Sequence, residues 1–365
     1  MSNNIFGHIF KARSLAYGTD EAKELQEFRN IIDQEIDDTN KCTNPKFIMF
    51  KVTNKCNSGC VYCGYSSKNR HKNDEHLCDT LDKIKYEDFE HIIDEASSMG
   101  VYSIAYNGGE PLLHKDIEKI IAYSNEKKVL PILMTNGLLL PQKWESLGAA
   151  GLKYIMISFD SLNPDVFELQ RGVSMSKTMD GITAALKMRE KYGDMVIHIT
   201  SIITKHNINE MCELAEFCKE HDIWLEVCTY HHMSSDEDIL SVDDEKECNN
   251  AVSQLIAYKN NGYPVSTSDE YLKHIFDFCI NKKKKPDDYR CMVGYTTLQV
   301  DGYLNARPCW DTSFDILGTL KTQSIKEIWC GDKMKHYRQK MYSGQCDGCW
   351  NMCNEITALI NEAKQ

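Results

Sequence analysis

Between residues 47 and 229, short apolar runs alternate with longer stretches whose apolar positions recur every three or four residues. The runs at 47–53, 102–106, 130–135, 154–159, 196–203 and 224–229 are rich in Ile, Val, Leu, Phe and Tyr and read as strands. The stretches at 86–98, 116–127, 142–149, 177–191 and 210–220 read as helices, and a further helix at 244–260 follows the sixth run. Six strand–helix alternations predict an α/β fold with a parallel sheet covered by helices, either open or wound into a partial barrel. Both forms bind ligands at the C-terminal ends of their strands.

The flanks differ. Residues 1–45 are polar, with one helix expected at 21–36, where Leu25, Phe28, Ile31 and Ile32 share a face, packed on the outside of the main domain. Residues 262–290 form a connector with a helix near 271–278 and a basic run at 282–285 that reads as a solvated face. A hairpin then pairs 296–300 with 303–307 across Asp301-Gly302, and a short helical tail follows.

Charge and composition narrow the function. The 365 residues carry a net charge of -12, which argues against nucleic acid or an anionic membrane surface as partner. No stretch approaches the about 18 apolar residues of a membrane span, and no secretory signal is legible. A cytoplasmic protein is expected. In a reducing compartment its 16 cysteines read as metal-binding or catalytic rather than as disulfides.

Three of them, Cys56, Cys60 and Cys63, follow the first strand at C-x3-C-x2-C spacing. Three thiolates do not complete a tetrahedral zinc site, although His71 or His76 would serve as a fourth ligand. On a cuboidal iron–sulfur cluster the same three leave one iron open to a substrate or cofactor. The second strand ends in Gly108-Gly109-Glu110, where two glycines permit a close backbone approach to a ligand and the carboxylate accepts from an ammonium.

With these motifs at the ends of strands one and two, the chain resembles the radical S-adenosylmethionine (SAM) superfamily over residues 46–235. Met134-Thr135-Asn136-Gly137, Ile157-Ser158-Phe159-Asp160-Ser161 and Arg171-Gly172 extend the likeness. The resemblance implies a partial (β/α)6 TIM-type barrel at 46–261, preceded by a helical extension at 1–45. It implies that Cys56, Cys60 and Cys63 hold a [4Fe-4S] cluster and that Tyr62 lies near adenine. It also implies that Gly108, Gly109 and Glu110 hold the methionine amino group and that Arg171 meets its carboxylate. Asn136 and Ser158 are further cofactor-binding candidates. On the residues alone, the alternative reading of Arg171 is a surface salt bridge, and of Asn136 and Ser158 strand-end caps.

The tail holds a second set. Cys291 and Cys309 flank the hairpin, and Cys346-x2-Cys349 sits on a turn. Four thiolates suit structural zinc or a [4Fe-4S] cluster. After the connector at 262–290, residues 291–365 resemble the SPASM and shorter twitch auxiliary-cluster domains. They lack the seven cysteines of the full pattern. That implies one auxiliary [4Fe-4S] cluster on Cys291, Cys309, Cys346 and Cys349, with Cys353 as a possible replacement. Cys330 reads as a buried apolar residue, and Cys42, Cys78, Cys212, Cys218, Cys228, Cys248 and Cys279 as structural.

The chemistry implied is reductive cleavage of SAM to a 5′-deoxyadenosyl radical, which takes hydrogen from a peptide or small-molecule substrate. The auxiliary cluster accepts the remaining electron. A flavodoxin- or ferredoxin-like donor is the expected partner. The alternatives are a redox-neutral epimerase or carbon–carbon bond former, a sugar or cyclitol alcohol dehydrogenase, and a non-catalytic zinc scaffold. The 45 residues before strand one are short for the leader-peptide recognition domain of many peptide modifiers. His231 and His232, after strand six, are candidate bases.

Overall fold

The computed structural model describes residues 3–66, 84–229, 244–279, 290–309, 315–346 and 355–361. Six parallel strands lie side by side in chain order: β1 (Phe47–Thr53), β2 (Ser103–Gly108), β3 (Leu130–Thr135), β4 (Tyr154–Ser158), β5 (Val196–Ile203) and β6 (Trp224–Thr229). Helices α3 (Tyr86–Ser98), α4 (Ile117–Glu126), α5 (Leu140–Ala149), α6 (Pro164–Arg171), α7 (Met175–Tyr192) and α8 (Met211–Glu220) make the crossovers, and α9 (Glu245–Asn260) and α10 (Asp269–Cys279) follow β6. The sheet does not close on itself, so the architecture is a partial barrel with its helices outside.

Each strand divides its side chains between two cores, as the two-residue period demands. Ile48, Phe50, Ile104, Leu133, Ile155, Ile157, Ile197, Ile199, Leu225 and Val227 pack under the outer helices. Phe47, Ala105, Ile132, Tyr154, Met156 and Val196 point the other way, into the barrel. Of the N-terminal helices α1 (Gly7–Tyr17) and α2 (Glu21–Asp37), α1 was not expected and α2 was expected outside. They fill the inner side instead: Ile9, Phe10, Leu25, Phe28 and Ile32 join the inward core, and Lys46 at the foot of β1 is bonded to Glu35 at 2.7 Å. The apolar stripe of α2 covers the floor of the barrel because the inward residues of the open sheet have no opposite wall to meet.

The tail continues the same sheet. A short helix, α11 (Val293–Thr296), leads into β7 (Thr297–Val300), which pairs parallel with β1 in the register Phe47 to Thr297 through Phe50 to Val300. Then β8 (Asn305–Arg307) and β9 (Gly318–Thr319) add antiparallel. The expected hairpin is therefore present with a wider turn, in which Asp301 accepts from the backbone of Tyr303 and Asn305. Helices α12 (Ile325–Cys330) and α13 (Asp332–Tyr342) cover it, and α14 (Glu355–Asn361) sends Ile356, Leu359 and Ile360 into the inward core. A capping box starts α12: Ser324 Oγ accepts from Glu327 N, and Glu327 accepts from Ser324 N. Ser324→Ala is expected to lower the stability by about 1 kcal/mol, read as a shift of the urea midpoint at constant slope. Among the described residues no helix is long and apolar enough to cross a membrane.

Candidate active site

The loop after β1 carries Cys56, Cys60 and Cys63 and is fastened from three sides. From β2, Gly109 N donates to Thr53 O at 2.8 Å and Glu110 N to Lys55 O at 2.6 Å. From the C-terminal end of α6, Arg171 O accepts from Gly59 N and Gln170 O from Val61 N, both at 3.0 Å. From the turn after β3, Asn136 Nδ2 donates to Asn57 Oδ1 at 2.8 Å. The β2 glycines were expected to let a ligand approach; here they let the loop approach. A Cβ on Gly109 would sit 2.0 Å from Lys55 O, and one on Gly108, at φ +137, 2.3 Å from Thr53 O. Two backbone segments meet where no side chain fits.

Glu110 is buried and both its oxygens are engaged. Oε1 accepts from Leu112 N at 3.0 Å and Thr135 Oγ1 at 2.7 Å, and Oε2 from Asn136 N at 2.8 Å. Burial outweighs these bonds and pushes the carboxyl up to about 7. Asn136 does more than cap its own turn, where Oδ1 accepts from Leu138 N, since it also ties down the cysteine loop. Ser158 caps nothing among the described residues: half-buried on the barrel face of β4, its hydroxyl makes no protein hydrogen bond there.

Arg171 is not a surface salt bridge. It is 6% exposed, and its Nε and Nη2 form a fork on Asp160 at 2.6 and 2.7 Å. The same carboxylate accepts from the Tyr62 hydroxyl at 2.6 Å and from Ile202 N at 2.9 Å. The guanidinium also lies 5.4 Å from the Tyr62 ring centre. Asp160 thus joins the cysteine loop, α6 and β5 at one point. Sequence reasoning quoted Asp160 but gave it no role; the signal was its spacing from Ser158, which places both on the inward face two residues apart.

The donor set fits an iron–sulfur cluster. Among the described residues no three His, Cys, Asp or Glu side chains converge on one ion, and a cubane needs no such convergence because each thiolate binds a different iron. Burial pushes the Cys56 thiol up to about 12, so a thiolate there needs the charge of bound metal. Cys60 and Cys63 pack with Tyr62, Val61 and Ile202. In the tail, Cys291, Cys309 and Cys346 come together around Met341 and Tyr337. Cys330 stands apart, with its sulfur on Thr43 O at 3.6 Å. Cys218, Cys228 and Cys248 are buried singly, as is Cys42, whose sulfur faces Tyr295 O, while Cys212 is half-buried. His71, His76, Cys78, His231, His232, Cys349 and Cys353 lie outside the described residues, and so does the side chain of Cys279.

Residues 50–218 match the model of the radical SAM superfamily, and residues 291–351 match that of the SPASM iron–sulfur cluster-binding domain. The chain belongs to the radical SAM superfamily and carries a C-terminal SPASM domain. Its cofactors are accordingly SAM and a [4Fe-4S] cluster, with auxiliary iron–sulfur binding in the tail. Among curated relatives, GTP 3',8-cyclase of Clostridium acetobutylicum is 34% identical over 179 residues, 46% of this chain and 50% of that one. AdoMet-dependent heme synthase of Methanosarcina barkeri is 31% identical over 179 residues, 48% of each. The chain spans about half the length of these relatives. Streptococcus suis SuiB bound to SAM shares the fold, with a TM-score of 0.65 at 18% identity over 88% of this chain and 74% of that one. SuiB bound to its precursor peptide SuiA gives a TM-score of 0.64 at 19% identity, over 88% and 72%.

Proposed function

We propose that this protein is a radical SAM oxidoreductase that takes a hydrogen atom from a peptide or small-molecule substrate and passes the leftover electron to one auxiliary [4Fe-4S] cluster. The carrying observation is the union of two thiol sets in one sheet. Cys56, Cys60 and Cys63 follow β1, while Cys291 and Cys309 flank the segment containing β7 and β8, and β7 is hydrogen-bonded to β1. Gly302, in the hairpin turn, packs so closely on Asn54 that a Cβ there would lie 2.9 Å from its side chain. An electron acceptor in the tail therefore has a direct protein route to the barrel. SAM bound at such a cluster supplies a 5′-deoxyadenosyl radical.

In this reading Cys56, Cys60 and Cys63 hold the first cluster, and Cys291, Cys309 and Cys346 with Cys349 or Cys353 hold the second. Glu110 takes the methionine ammonium. Arg171 offers Nη1, which has no partner among the described residues, while Asp160 balances its charge. A redox-neutral radical reaction is the second reading, favoured by the relation to GTP 3',8-cyclase over half that enzyme's length.

The test is anaerobic reconstitution followed by iron, zinc and 5′-deoxyadenosine analysis. About eight irons per chain, four for each cluster, and reductive cleavage of SAM are expected. Zinc in the first site, or intact SAM after reduction, defeats the proposal, and a product with no net electron loss selects the second reading.

Glu110 gives a pH prediction. Its buried carboxyl keeps a proton below about pH 7, and holding an ammonium requires that proton to leave. SAM affinity is expected to weaken by up to about tenfold per pH unit below 7 and to level off above it. Equilibrium binding across that range checks this, with Glu110→Gln expected weak and flat.

A further inference from the structure

Above its filled floor the barrel is open. Phe47, Ala105 and Ile132, low on β1, β2 and β3, are buried in the inward core, and Met49 continues the inward face of β1. The next inward residue of β1 is Lys51, about 13 Å above Phe47, and it is half-buried rather than buried. Its register partner on β2 is Asn107, also half-buried, and Asn107 touches the half-buried Met134 of β3. Solvent that reaches inward side chains in mid-sheet enters through a lumen. This one lies at the C-terminal ends of the strands, where barrels of this kind hold ligands.

Lys51 stands where three parts of the chain meet. Its Nζ donates to the Tyr65 hydroxyl at 2.9 Å and lies 4.7 Å from the centre of that ring, two residues beyond Cys63. On the other side Val300 of β7 pairs with Phe50, so Asp301 and the turn to β8 begin beside Lys51. Cys63 and Asp301 attract the ammonium, and Arg307 repels it. Both attracting groups are engaged elsewhere. In the reading above the Cys63 sulfur is on iron. Asp301 Oδ1 accepts from Tyr303 N and Asn305 N, both at 2.9 Å. Its Oδ2 accepts from Asn305 Nδ2 at 3.2 Å and faces Arg307 Nε at 3.8 Å. Two cations thus share one acid at a corner that opens on the lumen, and a partly desolvated charge is costly until something offsets it.

We infer that Lys51 anchors a carboxylate of the substrate, with the Asn107 amide beside it. The inference rests on the reading under Proposed function and deepens it, by naming the group of the substrate that the lumen holds. An ammonium carries three donors, so it can hold Tyr65 and a ligand together. Its bonds to a carboxylate are about twice as strong as neutral ones. Asn107 Nδ2 meets, among the described residues, the sulfur of Met134 at 3.9 Å, a weak acceptor. Lys51 and Asn107 sit on neighbouring strands about 4.8 Å apart, from which each reaches one oxygen of the same carboxylate. One ammonium beside an acid suits a single negative charge. It does not suit a phosphate, whose charge is about -2 at neutral pH. The anchor also places bound substrate between the two thiol sets.

The experiment gives the reconstituted full chain SAM and dithionite. Stimulation of 5′-deoxyadenosine formation is measured with three fractions of a cell extract: peptides, small acids retained on an anion-exchange resin, and unretained neutral small molecules. The peptide or the small-acid fraction is expected to stimulate, and which of them does tells where the carboxylate comes from. Capping its carboxyls with methylamine through a carbodiimide is expected to raise the half-saturating amount at least tenfold, and phosphatase to leave it unchanged. Lys51→Met is expected to raise the half-saturating amount of the uncapped fraction by a similar factor and to make it insensitive to capping. Lys51→Arg is expected to keep the sensitivity. Iron content and SAM affinity are expected at wild-type values in both variants.

The lost sensitivity is the decisive readout. A side chain that only braced Tyr65 would weaken the enzyme without erasing the difference between capped and uncapped fractions. Stimulation by the neutral fraction alone or by none, survival of capping, or loss on phosphatase treatment overturns the inference. So does a Lys51→Met protein that still distinguishes capped from uncapped material, or one that loses iron or SAM. With any of these results an enzyme that cleaves SAM keeps the radical reading and loses the anchor. One that never cleaves SAM after reduction loses both.

Discussion

Asp160→Asn is expected to destabilise the protein by about 3–5 kcal/mol, the cost of leaving a buried charge without its partner. The carboxylate is fully buried and receives four donors: Arg171 Nε and Nη2, the Tyr62 hydroxyl and Ile202 N. An asparagine keeps one acceptor oxygen and turns an NH2 group toward the guanidinium, which then has no counter-charge. Tyr62 lies between Cys60 and Cys63, so the loop loses its inner anchor as well. The double variant Asp160→Asn/Arg171→Gln removes both charges and is expected to recover most of the stability. Urea denaturation of the wild type, Asp160→Asn, Arg171→Gln and the double variant gives the coupling directly, and iron content tracks the loop. If Asp160→Asn unfolds at the wild-type midpoint and keeps its iron, Asp160 is not the fastening point of this site.

Gly109→Ala is expected to remove the first cluster and leave the second. The added methyl would stand 2.0 Å from Lys55 O and 2.5 Å from Lys55 C, both backbone atoms that no rotamer change can move aside. The bond from Glu110 N to Lys55 O has to open, and the segment leading into Cys56 has to shift. A misplacement of about 1 Å near reacting groups costs roughly 100-fold in rate, and displaced thiolates lose the cluster outright. Iron is expected to fall by about half, four of eight atoms, with SAM cleavage reduced at least about 100-fold. Gly262→Ala is the control: its φ of +81 disfavours a side chain, but its Cβ would meet nothing within 4 Å, so only a cost of about 1 kcal/mol is expected. Full iron in Gly109→Ala would show that the close approach of the two backbones is dispensable.

Much of the barrel was legible in the sequence because its strands are compact apolar runs bounded by turns. The predicted ranges at 47–53, 130–135, 196–203 and 224–229 coincide with the observed strands. Helices α1 and α6 were not legible. The apolar and polar residues of α1 do not segregate into a clear stripe, since Gly7, His8, Ile9, Phe10 and Ala12 are all buried in the barrel floor. In α6, eight residues from Pro164 follow an Asn163 cap too closely after the strand-four motif to show a period. The spacing of Cys56, Cys60 and Cys63 stood out because the three lie close in the chain, whereas the tail cysteines, spread from Cys291 to Cys349, were grouped through the family resemblance. What fastens the first set was hidden, since Tyr62 and Asp160 are 98 positions apart and only the folded chain brings Lys55 against Gly109.

The parallel pairing of β7 with β1 makes the tail and barrel inseparable in a way that a two-part description conceals. A chain cut short at residue 290 would expose one flank of the strand Phe47–Thr53, an apolar edge with its amides and carbonyls unpaired. Such an edge recruits other chains. The tail is thus also a guard against self-association, and selection to keep it would persist even in a descendant that had lost every tail cysteine.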